Sequence, residues 1–270
     1  MGRKASADAA VALNRAQDLI YDAWEAGTSK QRIALALKAL AISPMCADAY
    51  VLLAGHAKPG SEEELELWRR GFEAGERALG ETGFEKYSGH FWGFLETRPY
   101  MRARFGLANA LWARGDRDEA IAHFHEMLRL NPNDNQGVRY VLAVRLVDAA
   151  RDDELATLLN EYPNDGAATW AWTAALAAFR RSGDDGKSRA LLAEALDNNE
   201  RVAAYLLGEK HLPKRLPPYY GPGDNNEAVL YVADARDGWT VTPGALDWLK
   251  AHRPASSKAK GAGRLRSRLP

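Results

Sequence analysis

The feature that most constrains this chain is a pattern of small and apolar residues with a period of 34. It is clearest in Met101 to Asp134, MRARFGLANALWARGDRDEAIAHFHEMLRLNPND. Counting Met101 as position 1, Leu107, Ala108 and Leu111 fall on one face of a first helix, and Gly115 breaks the chain. Ala120 and Phe124 fill the facing notch of a second helix, and Pro132 stops it, because proline has no N–H to continue the ladder. A helix-turn-helix unit of this size cannot bury its apolar face alone, so neighbouring copies must stack on it. The fold class read from this is all-α.

Taken in order, Ala7 to Ala26 and Ser29 to Ile42 form a first pair around Gly27, with Pro44 after it; Gly27 to Pro44 repeats the separation of Gly115 and Pro132. In that register Leu19, Ile20 and Ala23 match Leu107, Ala108 and Leu111, while Ala36 and Ala39 match Phe124 and Met127. Cys46 to Ala57 and Ser61 to Leu79 give a second pair, with Ser61 and Glu64 spaced as a capping box. Pro44 and Pro132 lie 88 residues apart, 20 more than two repeats, and the surplus falls in GETGFEKYSGHFWGFLETRP, Gly80 to Pro99. That stretch carries Phe84, Tyr87, Phe91, Trp92 and Phe94, more apolar surface than a solvated loop tolerates, so a short helix near His90 to Leu95 is expected to lie against the repeats. Two further copies follow, the first of them worn: Arg145 replaces Leu111 and Glu154 replaces Ala120, so its second helix, Asp152 to Glu161, is expected to be short or tilted. From Asn199 the pattern changes to a helix at Arg201 to Lys210, a proline-rich connector, and helices near Asp224 to Arg236 and Thr242 to His252. The resulting divisions are 1–79, N-terminal helix pairs; 80–100, insertion; 101–198, three tandem repeats; 199–252, helical cap; and 253–270, a disordered basic tail.

Residues 101 to 198 resemble tetratricopeptide repeats. The resemblance implies a right-handed superhelix with a helical C-terminal cap, and a role in binding other proteins. Asn198 to Leu249 also resembles the C-terminal region of the suppressor-of-tumorigenicity-seven family, through Tyr205-Leu206-Leu207, Leu216-Pro217-Pro218, Gly223-Asp224, Glu227-Ala228, Trp239 and Gly244-Ala245-Leu246. Where that family has Asn-Pro-His-Val this chain has Asn199-Glu200-Arg201-Val202, and the family's membrane segments are absent. The resemblance implies a scaffold and carries over no catalytic residue.

Composition narrows the function classes. The single cysteine, Cys46, excludes an intramolecular disulfide framework and suits a reducing, cytoplasmic setting. No apolar run approaches the roughly 20 residues a membrane span needs. Net charge is zero, but Lys250 to Pro270 holds seven Lys/Arg and no Asp/Glu, leaving −7 on the remainder. The tail cations Lys258, Lys260, Arg264, Arg266 and Arg268 could support only salt-sensitive, sequence-blind nucleic-acid contact, so nucleic acid is not the expected partner.

In tetratricopeptide arrays positions 2, 5, 9 and 12 of each unit face the groove. They include Arg102, Phe105, Asn109 and Trp112, then Gln136 and Arg139, then Trp170 and Arg180. The expected peptide-binding set is Arg102, Asn109, Trp112, Gln136, Arg139, Trp170 and Arg180, whose cations and indoles suit an extended, acidic peptide or a partner helix. Alternatively Phe105, Trp112 and Trp170 pack against the insertion and fill the groove from within. Cochaperones of this class clamp a C-terminal carboxylate with lysine at position 5 and asparagine at position 9; Phe105 stands where the lysine would. His123 and His125 diverge by about 200° on a helix and cannot share a metal ion. No phosphate loop, HExxH or GxSxG pattern occurs, so no cofactor, metal or enzymatic activity is expected. The competing enzymatic reading would centre on His90, Glu96, Thr97 and Arg98 in the insertion. Self-association is a further expectation, because an end helix with uncovered apolar residues can stack on its twin.

Overall fold

The computed structural model describes residues 2–163 and 165–253. The basic tail beyond Arg253, with its five cations, lies outside the described residues. Among the described residues there are thirteen α-helices, one 3₁₀ turn and no strand. The chain forms two compact units, Met1–Leu142 and Ala143–Pro270.

The first unit contains α1 (Gly2–Glu25), α2 (Ser29–Ile42), α3 (Ala47–Ala54), α4 (Glu62–Tyr87), the 3₁₀ turn Phe91–Gly93, α5 (Arg98–Arg114) and α6 (Arg117–Leu130); α7 (Val138–Asp148) crosses into the second unit. Consecutive helices pack as pairs, α1 with α2, α3 with α4, α5 with α6, and the first helices of the pairs lie side by side, α1 against α3 and α3 against α5. Periodicity placed the core: Ile20, Ala23, Ala36, Ala39, Leu107, Ala108, Leu111, Ala120 and Phe124 are all buried. Each large aliphatic or aromatic side chain among them contributes about 1.5–3 kcal/mol by leaving water. Gly115 closes α5 with a left-handed φ of 94°, a conformation that favours glycine. Ser61 caps α4 by accepting from the Glu64 amide, as the spacing predicts.

The insertion differs in detail from the sequence expectation. The helix does not end at Leu79: Gly80 takes φ 58° and ψ 177°, the axis breaks, and helix resumes to Tyr87. A glycine interrupts α4 without ending it because it can adopt this backbone at no Cβ cost. The short helix expected near His90 to Leu95 is the 3₁₀ turn Phe91–Gly93. Phe84 and Phe91 close on Tyr100, with ring centroids 5.1 Å and 5.9 Å from it. The Gly89 amide donates to Leu130 O at 2.9 Å, and the Trp92 amide donates to Asn131 Oδ1 at 3.2 Å. The insertion is thus fastened to the start of α5 and the end of α6. Phe105 meets Phe124 edge-on at 5.9 Å, within the repeat's own core.

The second unit contains α8 (Asp152–Glu161), α9 (Ala168–Ser182), α10 (Gly186–Asn199), α11 (Arg201–Leu206), α12 (Asn225–Val241) and α13 (Ala245–His252). The worn repeat has a physical explanation: Arg145, at the place of a core leucine, is paired with Asp234 of α12 at 2.9 Å. Its second helix, α8, has 10 residues against 14 in α6. Helix α11 stops earlier than the sequence suggests because Gly208 turns the chain at φ 72°. Trp172, Trp239, Trp248 and Phe179 form a chain of ring contacts linking α9, α12 and α13. At its other end the buried Glu227 carboxylate accepts from the Ala168 and Gly223 amides and from the Asn199 side chain.

Candidate functional site

The expected groove residues divide between the units, with Arg102, Asn109, Trp112, Gln136 and Arg139 in the first and Trp170 and Arg180 in the second. All three arginines are engaged by carboxylates. Arg102 holds Asp48 through Nε at 2.7 Å and Nη2 at 2.5 Å, and the Asp48 side chain is fully buried. Arg139 holds the equally buried Asp134 at 3.0 Å, while Asp134 caps α7 by accepting from the Val138 and Arg139 amides. Arg180 meets Asp152 at 3.0 Å and donates to Val147 O at 3.0 Å. The first two pairings follow from burial, since a carboxylate removed from water must be matched by hydrogen bonds and opposite charge, whereas the Asp152 side chain is 38% exposed. The partners, above all Asp48, 54 residues before Arg102, are not visible from helix spacing.

The uncharged members are less committed. Asn109 Nδ2 donates to Phe105 O at 2.9 Å, and both residues line a cavity of about 360 Å³ with Trp68. Trp112 is half-buried with the Arg117 guanidinium 5.1 Å over its ring. Gln136 Oε1 is buried and accepts no hydrogen bond among the described residues. Trp170 is buried edge-on to Tyr162 and borders a 390 Å³ cavity of the second unit.

A further concave site lies in the first unit, on residues that the positional rule reaches when applied to the first repeat. With Leu13 as position 1 there, positions 2, 5, 9 and 12 are Asn14, Gln17, Tyr21 and Trp24, and one repeat on, position 2 is Asp48. Gln17 Nε2 donates to Asp48 Oδ2 at 2.9 Å, the Arg102 guanidinium lies 5.1 Å over the Trp24 ring, and Trp24 lies 5.7 Å from Tyr21. Side chains of α1, α3 and α5 at these positions are therefore joined through the buried Asp48 carboxylate. Beside it opens a cavity of about 470 Å³, lined by Leu13, Asn14, Gln17 and Tyr21 of α1, by Ala47, by the Gly75-to-Tyr87 face of α4, and by Leu95 and Glu96 of the insertion. Small residues leave this space open. Gly75 is obligatory on its floor: a Cβ there would lie 2.9 Å from Tyr100 Cα and Cβ.

Burial pushes the Cys46 thiol up to about 11, and Asp48 adds to the rise. His123 is pushed down to about 4, first by burial and then by Arg104 and Arg69, and its ring stands edge-on to Phe72 at 5.3 Å. In the insertion Thr97 Oγ1 donates to Phe91 O and Phe94 O, and Arg98 Nε donates to Trp92 O at 3.0 Å, so both fasten the turn. His90 and Glu96 are exposed. No helix among the described residues is long and apolar enough to cross a membrane.

The tetratricopeptide repeat family matches residues 101–134. Protein ST7 homolog of Caenorhabditis elegans is 27% identical over 91% of this chain and 53% of its own length, so the chain spans about half of that curated relative. Among solved structures, YrrB, a tetratricopeptide protein described as having an unusual peptide-binding site, covers 70% of this chain and 86% of its own, at 20% identity and a TM-score of 0.47.

Proposed function

We propose that this chain is a non-catalytic protein-interaction scaffold that holds an extended peptide or partner helix on the face shared by α1, α3 and α5. The observation that carries the reading is the continuity of groove positions on that face, Asn14, Gln17, Tyr21 and Trp24 joined to Asp48 and Arg102. Tyr21 and Trp24 are 46% and 40% exposed, an apolar and hydrogen-bonding surface of the type that anchors peptides. The Asp48–Arg102 pair holds α3 to α5 and sets the floor on which a ligand would lie. Asn109, Trp112, Gln136, Arg139, Trp170 and Arg180 are proposed as further groove residues, the arginines acting mainly by fixing the helices that bear the others. A reducing cytoplasmic setting suits the unpaired, buried Cys46.

The experiment is affinity capture with wild type and a Tyr21→Ala, Trp24→Ala double variant, followed by titration of each purified partner. These positions are preferable to Arg139, where a glutamate would set a second carboxylate against buried Asp134. A partner bound by wild type and weakened by about tenfold or more in a folded double variant supports the reading. Equal affinity for both proteins overturns it.

A further inference from the structure

We propose that the insertion-walled cavity of the first unit is a specificity pocket for one bulky, uncharged apolar side chain, Leu, Met or Phe, with an acidic residue beside it in the bound segment. This rests on the groove reading and names the chemistry of its ligand. The cavity, about 470 Å³, falls in the size range of roughly 300–1,000 Å³ typical of ligand pockets. It adjoins the groove through Gln17 and Tyr21, so a chain leaving it passes onto Arg102 and Trp24, with Asp48 buried beneath them. Its outer wall is built by a feature separate from the repeat itself: α4 turns at Gly80, runs on to Tyr87, and is met by Leu95 from the insertion.

The occupant follows from what is uncovered there. Leu95 is 64% exposed and Tyr21 46%, on opposite sides of one concavity, whereas Phe84 and Phe91 of the same insertion are spent on Tyr100. An exposed leucine and an exposed tyrosine ring on a cavity lined in part by Leu13, Ala47, Ala78 and Leu79 match an apolar insert. Charge selects its neighbour. Lys86 and Glu96 both line the cavity, and Lys86 donates to Tyr87 Oη at 3.0 Å, a neutral partner that raises its pKa more than the Glu96 carboxylate does. Gln17 is already bonded to Asp48, so Asn14, exposed on α1, is the amide at the rim that can meet the ligand backbone. An ammonium with two further donors, next to an apolar well, fits an Asp or Glu adjoining the anchor.

The probes are two synthetic peptide pools of equal length, one pairing Leu, Met or Phe with an adjacent Asp or Glu, the other with serine at the apolar position. They are titrated against wild type, Ala78→Trp, Thr82→Trp, Lys86→Glu and Trp24→Ala. Ala78 and Thr82 are exposed residues that line the cavity, so tryptophan at either fills it with little disturbance to packing, and an unchanged melting temperature verifies the fold. The expected result is binding of the apolar pool only, weakened about tenfold by either tryptophan and about threefold by Lys86→Glu. Binding lost in Trp24→Ala but unchanged in both tryptophan variants leaves the groove standing and overturns the pocket. Equal binding of both pools, or of neither, also overturns the pocket, while the groove is then judged by captured partners alone.

Discussion

Replacing Glu227 with glutamine removes one charge and exchanges one oxygen for an NH₂ without changing size, yet the second unit should lose a large part of its stability. Glu227 is 4% exposed. Its Oε1 accepts from the Ala168 amide at 3.0 Å, and its Oε2 accepts from Asn199 Nδ2 at 3.0 Å and from the Gly223 amide at 2.7 Å. Every neighbour is a donor. Turned one way, the new NH₂ opposes Ala168; turned the other, it opposes Asn199 and Gly223. Asn199 cannot flip to accommodate it, because Nδ2 also donates to Asp224 O at 2.9 Å and Oδ1 accepts from the Arg201 amide at 3.2 Å. At least one buried donor is stranded, costing about 1–3 kcal/mol, and the remaining bonds fall from charge-assisted to neutral strength, so the total is about 2–4 kcal/mol. Because the bonds join the start of α9, the end of α10 and the start of α12, the loss is carried by the whole unit. Urea unfolding followed by circular dichroism measures it. A glutamine variant within about 0.5 kcal/mol of wild type would refute the argument.

Asp48→Ala leaves Arg102 and Gln17 without their shared acceptor and should cost about 2–4 kcal/mol, less than a fully enclosed pair because Arg102 is 27% exposed on its side chain. In a double-mutant cycle Arg102→Ala should be less harmful on the Asp48→Ala background, and strict additivity would contradict the pairing. Gly75→Ala should destabilise by about 1–3 kcal/mol despite the better helix propensity of alanine, since its Cβ meets Tyr100 at 2.9 Å; an unchanged or higher melting temperature would count against the close packing of α4 on α5. His123 titrates at about 4 in the fold and near 6.5 unfolded, so the unfolded chain binds more protons between these values. Stability should therefore fall as pH drops from about 6.5 to 4, by roughly 1–2 kcal/mol after allowing for solvent screening, and His123→Phe should flatten that segment of the pH profile. A slope unaffected by the substitution would assign the loss to other groups.

The 34-residue period made the helix pairs and their core legible, because Leu111, Phe124, Ala23 and Ala39 are fixed by geometry that each repeat imposes locally. Groove chemistry was harder to read. Position 2 singles out Arg102, but the carboxylate that neutralises it comes from α3, and no spacing within one repeat reveals a partner 54 residues away. The arginine on α9 is likewise paired with Asp152, 28 residues away, whereas Asp134 lies five residues before Arg139 and was within local reach. The cavity was within reach of the sequence: extending the positional rule to the first repeat yields Asn14, Gln17, Tyr21 and Trp24. Its outer wall was not, because the resumption of helix after Gly80 depends on the docking of Phe84 and Phe91 on Tyr100. Glu227 was readable as part of a helix cap, which it is, through its amide bond to Asp224 at 2.8 Å. Its carboxylate, which ties three segments together, lay beyond that local pattern.

The most direct test of the account is hydroxyl-radical footprinting of the chain with and without a purified captured partner. Tyr21, Trp24 and Leu95 are exposed on the proposed binding face, while Tyr219, Tyr220 and Val241 are exposed in the second unit and serve as references. Partner binding should protect Tyr21, Trp24 and Leu95 from oxidation and leave the reference residues unchanged. Protection confined to the reference residues, with Tyr21, Trp24 and Leu95 as reactive as in the free protein, would contradict it.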